Sequence, residues 1–256
     1  MKPMAMHFLS GGRVRMRKTV YIPDADRSES IELPVICTLL RHAQGNVLFD
    51  TGCHPDVPEN PASRWHGMEK FMIPIMPKGE NVLSGLSGIG VEADDIDVVI
   101  CSHLHPDHCG CNAFFKRATV LVHAHEVAAA RAPDAIKMGF LAGEWDVSLP
   151  REELNGERDV FGDGRIVLIE LPGHTRGSIG ALIALDRDGR FLLASDTVSL
   201  RATLDRDMPP RNTWNADALL KSWGEIRRIE TGGATVICGH DDAQWQTLRK
   251  GAAAYA

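Results

Sequence analysis

The feature that most constrains this chain is a six-residue window with three histidines and an aspartate, HLHPDH at residues 103–108. The chain has eleven histidines in 256 residues, so a chance HxHxDH has a probability of roughly one or two in a thousand. The window follows the apolar run 98–101, which is typical of a buried strand, and it precedes a turn that contains glycine. We therefore predict a loop at the end of a strand, where four polar side chains converge on one point.

The residue types in this window indicate a metal site. Histidine and carboxylate ligands without a required thiolate suit Zn²⁺, Mn²⁺, Fe²⁺ or Co²⁺. Four such side chains are too many for one open catalytic site. His103 and His105 can bind one ion, whereas Asp107 and His108 turn toward a second. Two ions require further ligands elsewhere in the chain.

Three further candidate ligands occupy the same local setting, at the end of a strand-like run. His174 follows residues 166–171, Asp196 follows residues 191–194, and His240 follows residues 235–238. Taken one at a time, each could be an ordinary turn aspartate or loop histidine. Together with the window they favour a metal centre, because scattered functionless residues rarely all fall at strand ends.

The remaining pattern indicates two sheets packed face to face and covered by helices, in one domain of residues 1–256. Turns near residues 42–46 and 186–189 predict hairpins. We predict helices over Asn215–Glu230 and His125–Arg131, a third after the turn at Cys109–Asn112, and a long loop with short helical pieces over residues 52–90. Short apolar runs predict buried strands at 35–40, 47–49, 98–101, 119–122, 166–169, 181–185, 191–194 and 235–238.

Composition and charge exclude several function classes. The formal net charge of -6 argues against nucleic acids and anionic membranes as partners, because no excess of cations is present to neutralise phosphates. The sequence pattern predicts neither a signal peptide nor a membrane-spanning segment. The six cysteines are expected to be reduced thiols. We expect a cytoplasmic enzyme that acts on a small molecule and that could form a homodimer.

The chain resembles the metallo-β-lactamase-fold hydrolases that have a dinuclear metal centre. The resemblance implies an α+β fold, an αββα sandwich of two mixed β-sheets flanked by helices, with the metals in a cleft between the sheets. It also implies that His103, His105 and His174 hold one ion, that Asp107, His108 and His240 hold the other, and that Asp196 bridges them. Zinc is the expected metal, with Mn²⁺, Fe²⁺ or Co²⁺ as alternatives. The residues that carry the resemblance are these seven, together with Asp50 in LFDTG.

Within that family, three segments are most similar to N-acyl-homoserine lactonases and related lactone hydrolases. They are ELPVICTLL before LFDTG, SHLHPDHCG, and GHD near the C-terminus. The resemblance implies quorum-quenching lactone hydrolysis, in which a hydroxide held between the two ions attacks the carbonyl and Asp107 shuttles the proton. One position departs from the pattern, since Ser199 stands where those lactonases usually carry a tyrosine. The two tyrosines of this chain, Tyr21 and Tyr255, cannot be placed in the site from sequence.

Other activities of the same fold remain as alternatives. The metal site could hydrolyse a different ester or a thioester, or it could hold iron in a redox enzyme. Flavin-linked diiron members normally carry glutamate where this chain has His105. Glyoxalase II-type thioesterases normally continue into a helical extension, and the sixteen residues after His240 disfavour that interpretation. RNA-processing members need a basic surface, which we do not expect on this acidic chain. True β-lactamases are expected to carry an export signal, which the sequence pattern does not predict here. A binding module with a vestigial site is disfavoured because no ligand position is substituted.

Substrate contacts are predicted at Ser199, Met72 and Phe71. The apolar residues of the 52–90 loop suit the wall of an acyl-chain pocket, because methionine side chains adapt to many shapes, although core filling or a dimer contact fits equally well. Met138 and Phe140 have the same two interpretations. Two cysteines near the window and the remaining histidines are expected to be structural, or to support the site from outside it: Cys109, Cys111, His7, His42, His54, His66, His123 and His125.

Overall fold

The computed structural model describes residues 4–77 and 79–256 of the chain. Its strands form two sheets, one of seven strands and one of five. The larger sheet contains β1 (Ala5–Arg17), β2 (Ser30–His42), β3 (Gly45–Phe49), β4 (Ile73–Ile75), β5 (Val98–Ile100), β6 (Thr119–His123) and β7 (Arg151–Leu154). The smaller sheet contains β8 (Arg158–Asp159), β9 (Ile166–Glu170), β10 (Ile179–Ala184), β11 (Arg190–Ser195) and β12 (Ala234–Cys238). The strand orders are β4-β1-β2-β3-β5-β6-β7 and β12-β11-β10-β9-β8.

The α-helices are short except for one of 16 residues, Ala216–Thr231. In the part of the chain that the structure describes, none is long and apolar enough to cross a membrane. The helices are α1 (Pro61–Trp65), α2 (Val82–Ser87), α3 (Pro106–Cys109), α4 (Ala124–Ala130), α5 (Ala142–Trp145), α6 (Arg201–Asp205), α7 (Ala216–Thr231) and α8 (Asp242–Thr247).

Strand direction brings the ends of several strands to one edge of each sheet. In the larger sheet, β3, β5, β6 and β7 pair in parallel. In the smaller sheet, β10 is antiparallel to both β9 and β11, and β11 pairs in parallel with β12. The strands β9, β11 and β12 therefore run in one direction. Both sheets are mixed, and the loops that follow these strands lie at common edges.

The core consists of layers on both sides of each sheet. An apolar cluster that includes Leu40, Phe49 and Leu193 joins strands of the two sheets. Trp223 of α7 packs in a second cluster over the smaller sheet, and Val127 of α4 packs in a third over the larger sheet. The order of layers is helix, sheet, sheet, helix, which confirms the predicted αββα architecture.

Most predicted elements agree with the structure. Six of the eight apolar runs lie wholly within strands, the other two extend one residue beyond the ends of β5 and β10, and both predicted turns connect antiparallel strand pairs. Helix α7 begins where expected, because the side chain of Asn215 accepts a hydrogen bond from the backbone N–H of Ala218 and caps the helix. Helix α4 covers most of the second predicted helix. The prediction of a single domain over residues 1–256 remains a prediction.

Three details of the sequence prediction were wrong. No helix follows Cys109–Asn112; instead, α3 precedes that turn, starting at Pro106, which favours the first position of a helix, and a single 3₁₀ turn follows at Asn112–Phe114. Asp107 and His108 are therefore helical rather than in a loop. The 52–90 segment contains a strand, β4, as well as its helical turns.

Strand β1 was not predicted, because Ser10, Gly11 and Gly12 interrupt its alternation and the pairing with β2 shifts register between Ser10 and Arg13. At this bulge the backbone of β1 also lies close to the backbone at Gly52. A Cβ on Gly11 would lie 2.8 Å from Cα of Gly52, and Cys53 N–H donates to the Gly11 carbonyl. The bulge therefore fixes the start of the 52–90 loop beside the strand ends.

Candidate metal centre

The candidate ligands lie at the ends of four strands or in the short helix that follows one of them. His103 and His105 follow β5, and Asp107 and His108 lie in α3 directly after them. From the smaller sheet, His174 follows β9, Asp196 follows β11 and His240 follows β12. Because these strands end at facing edges of the two sheets, all seven side chains meet in one place.

One group of nitrogen atoms belongs to His103, His105 and His174, whose ligand atoms lie within 4.8 Å of one another. Nε2 of His103 is 3.1 Å from Nδ1 of His105, and Nε2 of His174 is 3.0 Å from the same atom. Three imidazole nitrogens thus point at a shared centre, which is how histidines surround a divalent cation.

A second group belongs to Asp107, His108 and His240, again with ligand atoms within 4.8 Å of one another. Nε2 of His108 is 3.3 Å from Nε2 of His240. Oδ2 of Asp107 is 3.6 Å from each of these two nitrogens. This donor set also matches a site for one divalent cation.

Asp196 lies between the two groups and turns one oxygen toward each. Its Oδ1 is 2.8 Å from Nε2 of His240 and 3.4 Å from Nε2 of His108. Its Oδ2 is 3.5 Å from Nε2 of His174. A carboxylate in this position can share its two oxygens between two ions.

The residues present fit two divalent cations. Among the described residues, Oδ1 of Asp196 is buried without an aligned hydrogen bond, and the nitrogen 2.8 Å from it, Nε2 of His240, belongs to another candidate ligand. An unpaired buried carboxylate oxygen is costly, and a cation would satisfy it. The surrounding imidazole nitrogens converge in the same way, and histidine with carboxylate is a donor set that zinc and similar metals prefer.

Burial also favours the protonation states that a metal ligand needs. Burial lowers the pKa of His174 to about 3, although the carboxylate of Asp196 acts in the opposite direction. Burial, His108 and His105 lower the pKa of His103 well below its usual range. Burial alone would raise the pKa of Asp196, but His240 and His108 hold it well below its usual range. His103 and His174 are therefore neutral and Asp196 is ionised at neutral pH. Burial alone would lower the pKa of His108 and of His240, but Asp107 and Asp196 raise that of His108, and Asp196 raises that of His240.

The opposite nitrogens of the imidazole rings are held by other groups, which fixes the ring orientations. Nδ1 of His240 is 2.8 Å from the carbonyl oxygen of Pro34, and Nε2 of His105 is 2.9 Å from that of Met138. Nδ1 of His108 is 2.8 Å from Oδ2 of Asp50. Each of these contacts leaves the other ring nitrogen facing the centre.

Asp50 connects the two sheets beneath the site. Its Oδ1 accepts a hydrogen bond from Ser102 N–H at 2.7 Å, and its Oδ2 accepts one from the Ser102 hydroxyl at 2.7 Å and one from the Ser195 hydroxyl at 3.2 Å. Ser102 precedes His103, and Ser195 precedes Asp196. The aspartate of LFDTG thereby positions the chain just before two of the candidate ligands.

Glu126 performs a similar task for two other loops. It is fully buried in α4, where Oε1 accepts a hydrogen bond from Leu104 N–H and Oε2 accepts one from Gly177 N–H, both at 3.0 Å. The first loop carries His103 and His105, and the second follows His174. Burial raises the pKa of Glu126 to about 7, against the hydrogen bonds from Thr175, Leu104 and Gly177, which lower it.

Two cavities open beside the candidate ligands and share His105, Met138 and Asn212. The first has a volume of about 530 Å³ and also contains His174, Phe140 and Trp214. The second has a volume of about 340 Å³ and also contains Asp107, Asp196 and several methionines. Polar ligand atoms at the bottom and apolar walls above them are typical of small-molecule sites.

The three predicted substrate contacts have different surroundings. Phe71, which is 74% exposed, and Met72 both line the second cavity. Ser199 lies outside both cavities; it is buried, and its hydroxyl donates to the carbonyl oxygen of Asp196 at 3.3 Å. The serine at the position of the expected tyrosine therefore makes a hydrogen bond within its own turn.

Sequence reasoning missed two polar residues of the second cavity, Tyr21 and Asn212. Tyr21 is 2% exposed and follows a 3₁₀ turn at Lys18–Val20, after β1. Its ring packs edge-on against His240, with 6.2 Å between ring centroids. Burial, with Asp196 and Asp107 nearby, raises the pKa of Tyr21 well above its usual value. Nothing in the local sequence signals this placement.

The other residues that the sequence singled out lie outside the metal groups. His125 lines the first cavity, and His123 is 2.6 Å from a carboxylate oxygen of Glu170. Cys109 and Cys111 are buried free thiols, and burial raises the pKa of each. Their thiols are therefore poor metal ligands and poor nucleophiles at neutral pH.

Comparison with known proteins identifies a family model and full-length relatives. The model described as the metallo-beta-lactamase superfamily matches residues 31–240. The chain is 27% identical to the N-acyl homoserine lactonase AttM of Azorhizobium caulinodans, over 98% of each chain. It is 30% identical to the N-acyl homoserine lactonase AiiB of Agrobacterium fabrum, over 87% of this chain and 85% of that protein.

Solved structures show the same fold. One is an N-acyl homoserine lactone hydrolase with the product N-hexanoyl-L-homoserine bound at its catalytic metal centre. It superposes with a TM-score of 0.87 at 24% identity and covers 98% of each chain. The similarity extends over both sheets and the edge at which the candidate ligands meet.

Proposed function

Because this chain belongs to the metallo-beta-lactamase superfamily, we propose that it is a dinuclear metal-dependent hydrolase that opens lactone rings. N-acyl homoserine lactones are the proposed substrate class, since relatives that match over nearly the whole chain carry that activity in their names. The observation that carries the proposal is the carboxylate of Asp196, with one oxygen toward His108 and His240 and the other toward His174.

The proposed ligand assignment follows the two groups of nitrogen and oxygen atoms. One ion is held by His103, His105 and His174, the other by Asp107, His108 and His240, and both by Asp196. Zinc is the proposed metal, because imidazole and carboxylate donors without thiolate match its preferences. When bound, such a pair of ions supplies an activated water and polarises a carbonyl. The side chains fix where this chemistry takes place.

Asp107 is the proposed proton carrier. It lies at the bottom of the second cavity, 5% exposed, and its carboxylate faces the space between His108 and His240. A carboxylate at this point would be placed to accept a proton from the attacking water and to return it to the leaving alkoxide. A second role as ligand does not prevent this, since a carboxylate has two oxygens.

The walls of the cavities suit an acyl chain. Met68, Phe71, Met72 and Met138 line the second cavity above Asp107. Methionine and phenylalanine offer an apolar, adaptable surface, and Phe71 is 74% exposed. We place the lactone ring at the candidate ligands and the acyl chain against these side chains.

A hydrolysis screen tests the proposed function. Ring opening of N-acyl homoserine lactones of several chain lengths, followed with a pH indicator, is compared with that of an aryl ester, a thioester and a β-lactam. We expect the highest kcat/KM on a lactone. Faster turnover of the thioester, the aryl ester or the β-lactam, or no ring opening by metal-loaded protein, would contradict the proposal.

Elemental analysis tests the metal assignment separately. Metal-replete wild-type protein should contain two ions per chain, and Asp196→Ala should lose one or both together with nearly all activity. Glu59→Gln, an exposed position outside the site, is the matched control. One tightly bound ion in the wild type would contradict the dinuclear centre, and a coloured protein rich in iron would favour the redox alternative.

A further inference from the structure

Within residues 4–77 and 79–256, the hydroxyl of Tyr21 meets no strong hydrogen-bond acceptor. The acceptor that it meets among the described residues is the thioether sulfur of Met16, at 3.5 Å, and sulfur of this kind accepts weakly; the side-chain amide of Asn212 faces the phenol oxygen as a donor. Buried tyrosines usually pair their hydroxyl with an oxygen or nitrogen. The Tyr21 phenol therefore keeps a donor that is available to a ligand.

This donor belongs to the cavity that contains the candidate bridging carboxylate. Tyr21, Asp107 and Asp196 line the same 340 Å³ space. The ring is held by its edge-on contact with His240 and by an apolar cluster that includes Trp65 and Leu200. A rigidly held donor beside the reacting atoms loses little entropy when a substrate binds.

Two other polar groups of this cavity wall also lack partners. Oδ1 of Asn212 and Oγ1 of Thr213 are buried without a hydrogen bond among the described residues, and both residues line the cavity. The amide of Asn212 lies beside the Tyr21 phenol. Unpaired buried polar atoms on one wall indicate that a polar ligand completes them, because leaving them unpaired is costly.

Resting on the lactonase function proposed above, we propose that Tyr21 is a catalytic residue whose hydroxyl donates a hydrogen bond to an oxygen of the scissile ester. The negative charge that develops on this oxygen strengthens the bond in the transition state. The proton stays on the phenol. One water is consumed, the ring C–O bond breaks, and the product is the hydroxy acid.

The first test compares Tyr21→Phe with Tyr255→Phe, since these are the two tyrosines of the chain. Tyr255 packs against Phe8 and Phe191, outside both cavities. Phenylalanine keeps the ring and removes the hydroxyl in each case. On the best lactone of the screen, we expect Tyr21→Phe to lower kcat by about a hundredfold with less than about a threefold change in KM.

The outcomes separate this inference from the function on which it rests. If wild-type protein opens no lactone, the proposed function fails. If it opens lactones and Tyr21→Phe has the kcat of Tyr255→Phe, the function stands and the role of Tyr21 is wrong. A loss confined to KM would also overturn the role. Metal content is measured for both variants, so that a lost ion is not mistaken for a lost hydrogen bond.

A second test does not depend on turnover. Protein labelled with 3-fluorotyrosine should give two ¹⁹F resonances, which Tyr255→Phe assigns. Saturation with N-hexanoyl-L-homoserine, verified by equilibrium dialysis, should shift the Tyr21 resonance and leave that of Tyr255 in place. An unmoved Tyr21 resonance at saturation would overturn the proposal even if Tyr21→Phe failed to fold.

Discussion

Ser199 stands where the lactonases that this chain resembles usually carry a tyrosine. Its hydroxyl donates to the carbonyl oxygen of Asp196 and the side chain is buried outside both cavities. We do not expect a hydroxyl in these surroundings to contact a substrate. We expect Ser199→Ala to change kcat/KM by less than about tenfold, or under about 1.4 kcal/mol, measured on the best lactone substrate.

Asp107→Asn provides the comparison for that substitution. An amide cannot exchange a proton with an attacking water as a carboxylate does, and it is a weaker metal ligand. Its loss of kcat/KM should therefore be far larger than that of Ser199→Ala. A loss above about a hundredfold for Ser199→Ala would show that the serine acts on the substrate, and the roles assigned here would be wrong.

The candidate ligands could be predicted because each is a metal-competent side chain next to a recognisable strand end. The position of Tyr21 could not, since it depends on how the segment after an unpredicted strand, β1, packs against His240. The supporting role of Asp50 could be predicted only as part of a motif. Its contacts with Ser102 and Ser195 join residues from two sheets, and a local sequence pattern does not predict contacts of this kind.

Helix α4 stabilises two ligand loops through Glu126, and this arrangement should depend on pH. The pKa of Glu126 is raised to about 7 in the folded protein, from an ordinary value of 4.5. Between these values the folded state binds more protons at this group than the unfolded state does. Stability therefore falls as pH rises from about 4.5 to 7 and is constant above that, with a total change of at most about 3 kcal/mol.

Urea unfolding of wild type and Glu126→Gln across pH 5–8, at one metal concentration, isolates this contribution. The other titrating groups cancel in the difference between the two proteins. We expect the free energy of unfolding of the wild type, relative to the variant, to decrease up to pH 7 and then to level. Glu59→Gln should show no such trend. A difference that is flat over pH 5–7 would refute the assigned pKa.

Helix α7 should contribute to stability through one face only. Trp223 is fully buried in it, and its indole N–H donates to the carbonyl oxygen of Thr197, the residue after Asp196. Trp223→Ala should lower the free energy of unfolding by about 3–5 kcal/mol. Leu220→Ala, on the same helix at 38% exposure, should cost well under half of that. Equal losses in urea unfolding would contradict this description of the helix.

The contrast between α7 and α3 shows which elements the sequence reveals. The apolar spacing of α7 repeats over 16 residues and its ends carry Asn215 and Gly232, so period and capping agree. Helix α3 has four residues, which is too short for any period to emerge. Its formation depends on Pro106 and on the packing of His108 against Asp50, which is a tertiary contact.

At the scale of the whole molecule, the proposed ligands come from both sheets, so bound metal should hold the two halves of the sandwich together. Ions that bind only the folded state stabilise it by about 2.7 kcal/mol at a hundred times their dissociation constant. In a chain of this size, that raises Tm by roughly 5–10 °C. We expect chelator treatment to lower Tm by at least this amount, measured by scanning calorimetry.

Asp196→Ala is the appropriate comparison for the chelation experiment. With the shared ligand removed, addition of chelator should change its Tm much less than that of the wild type. Restoring zinc should recover the wild-type Tm and leave the variant near its chelated value. Equal shifts in the two proteins would mean that the stabilising metal binds elsewhere.

The proposed ligands and the cavity walls come from different parts of the chain, and this affects how the substrate range of such a protein can evolve. The proposed ligands are fixed by paired strands and buried contacts, whereas the second cavity takes its walls from separate stretches near residues 16–21, 68–72, 137–139 and 211–213. Apart from Tyr21, whose hydroxyl is proposed to act on the substrate, residues of one stretch can mutate and reshape the cavity while the proposed ligands stay unaltered. Descendants of this chain could therefore acquire new substrates by small, independent changes, each retaining the inherited chemistry.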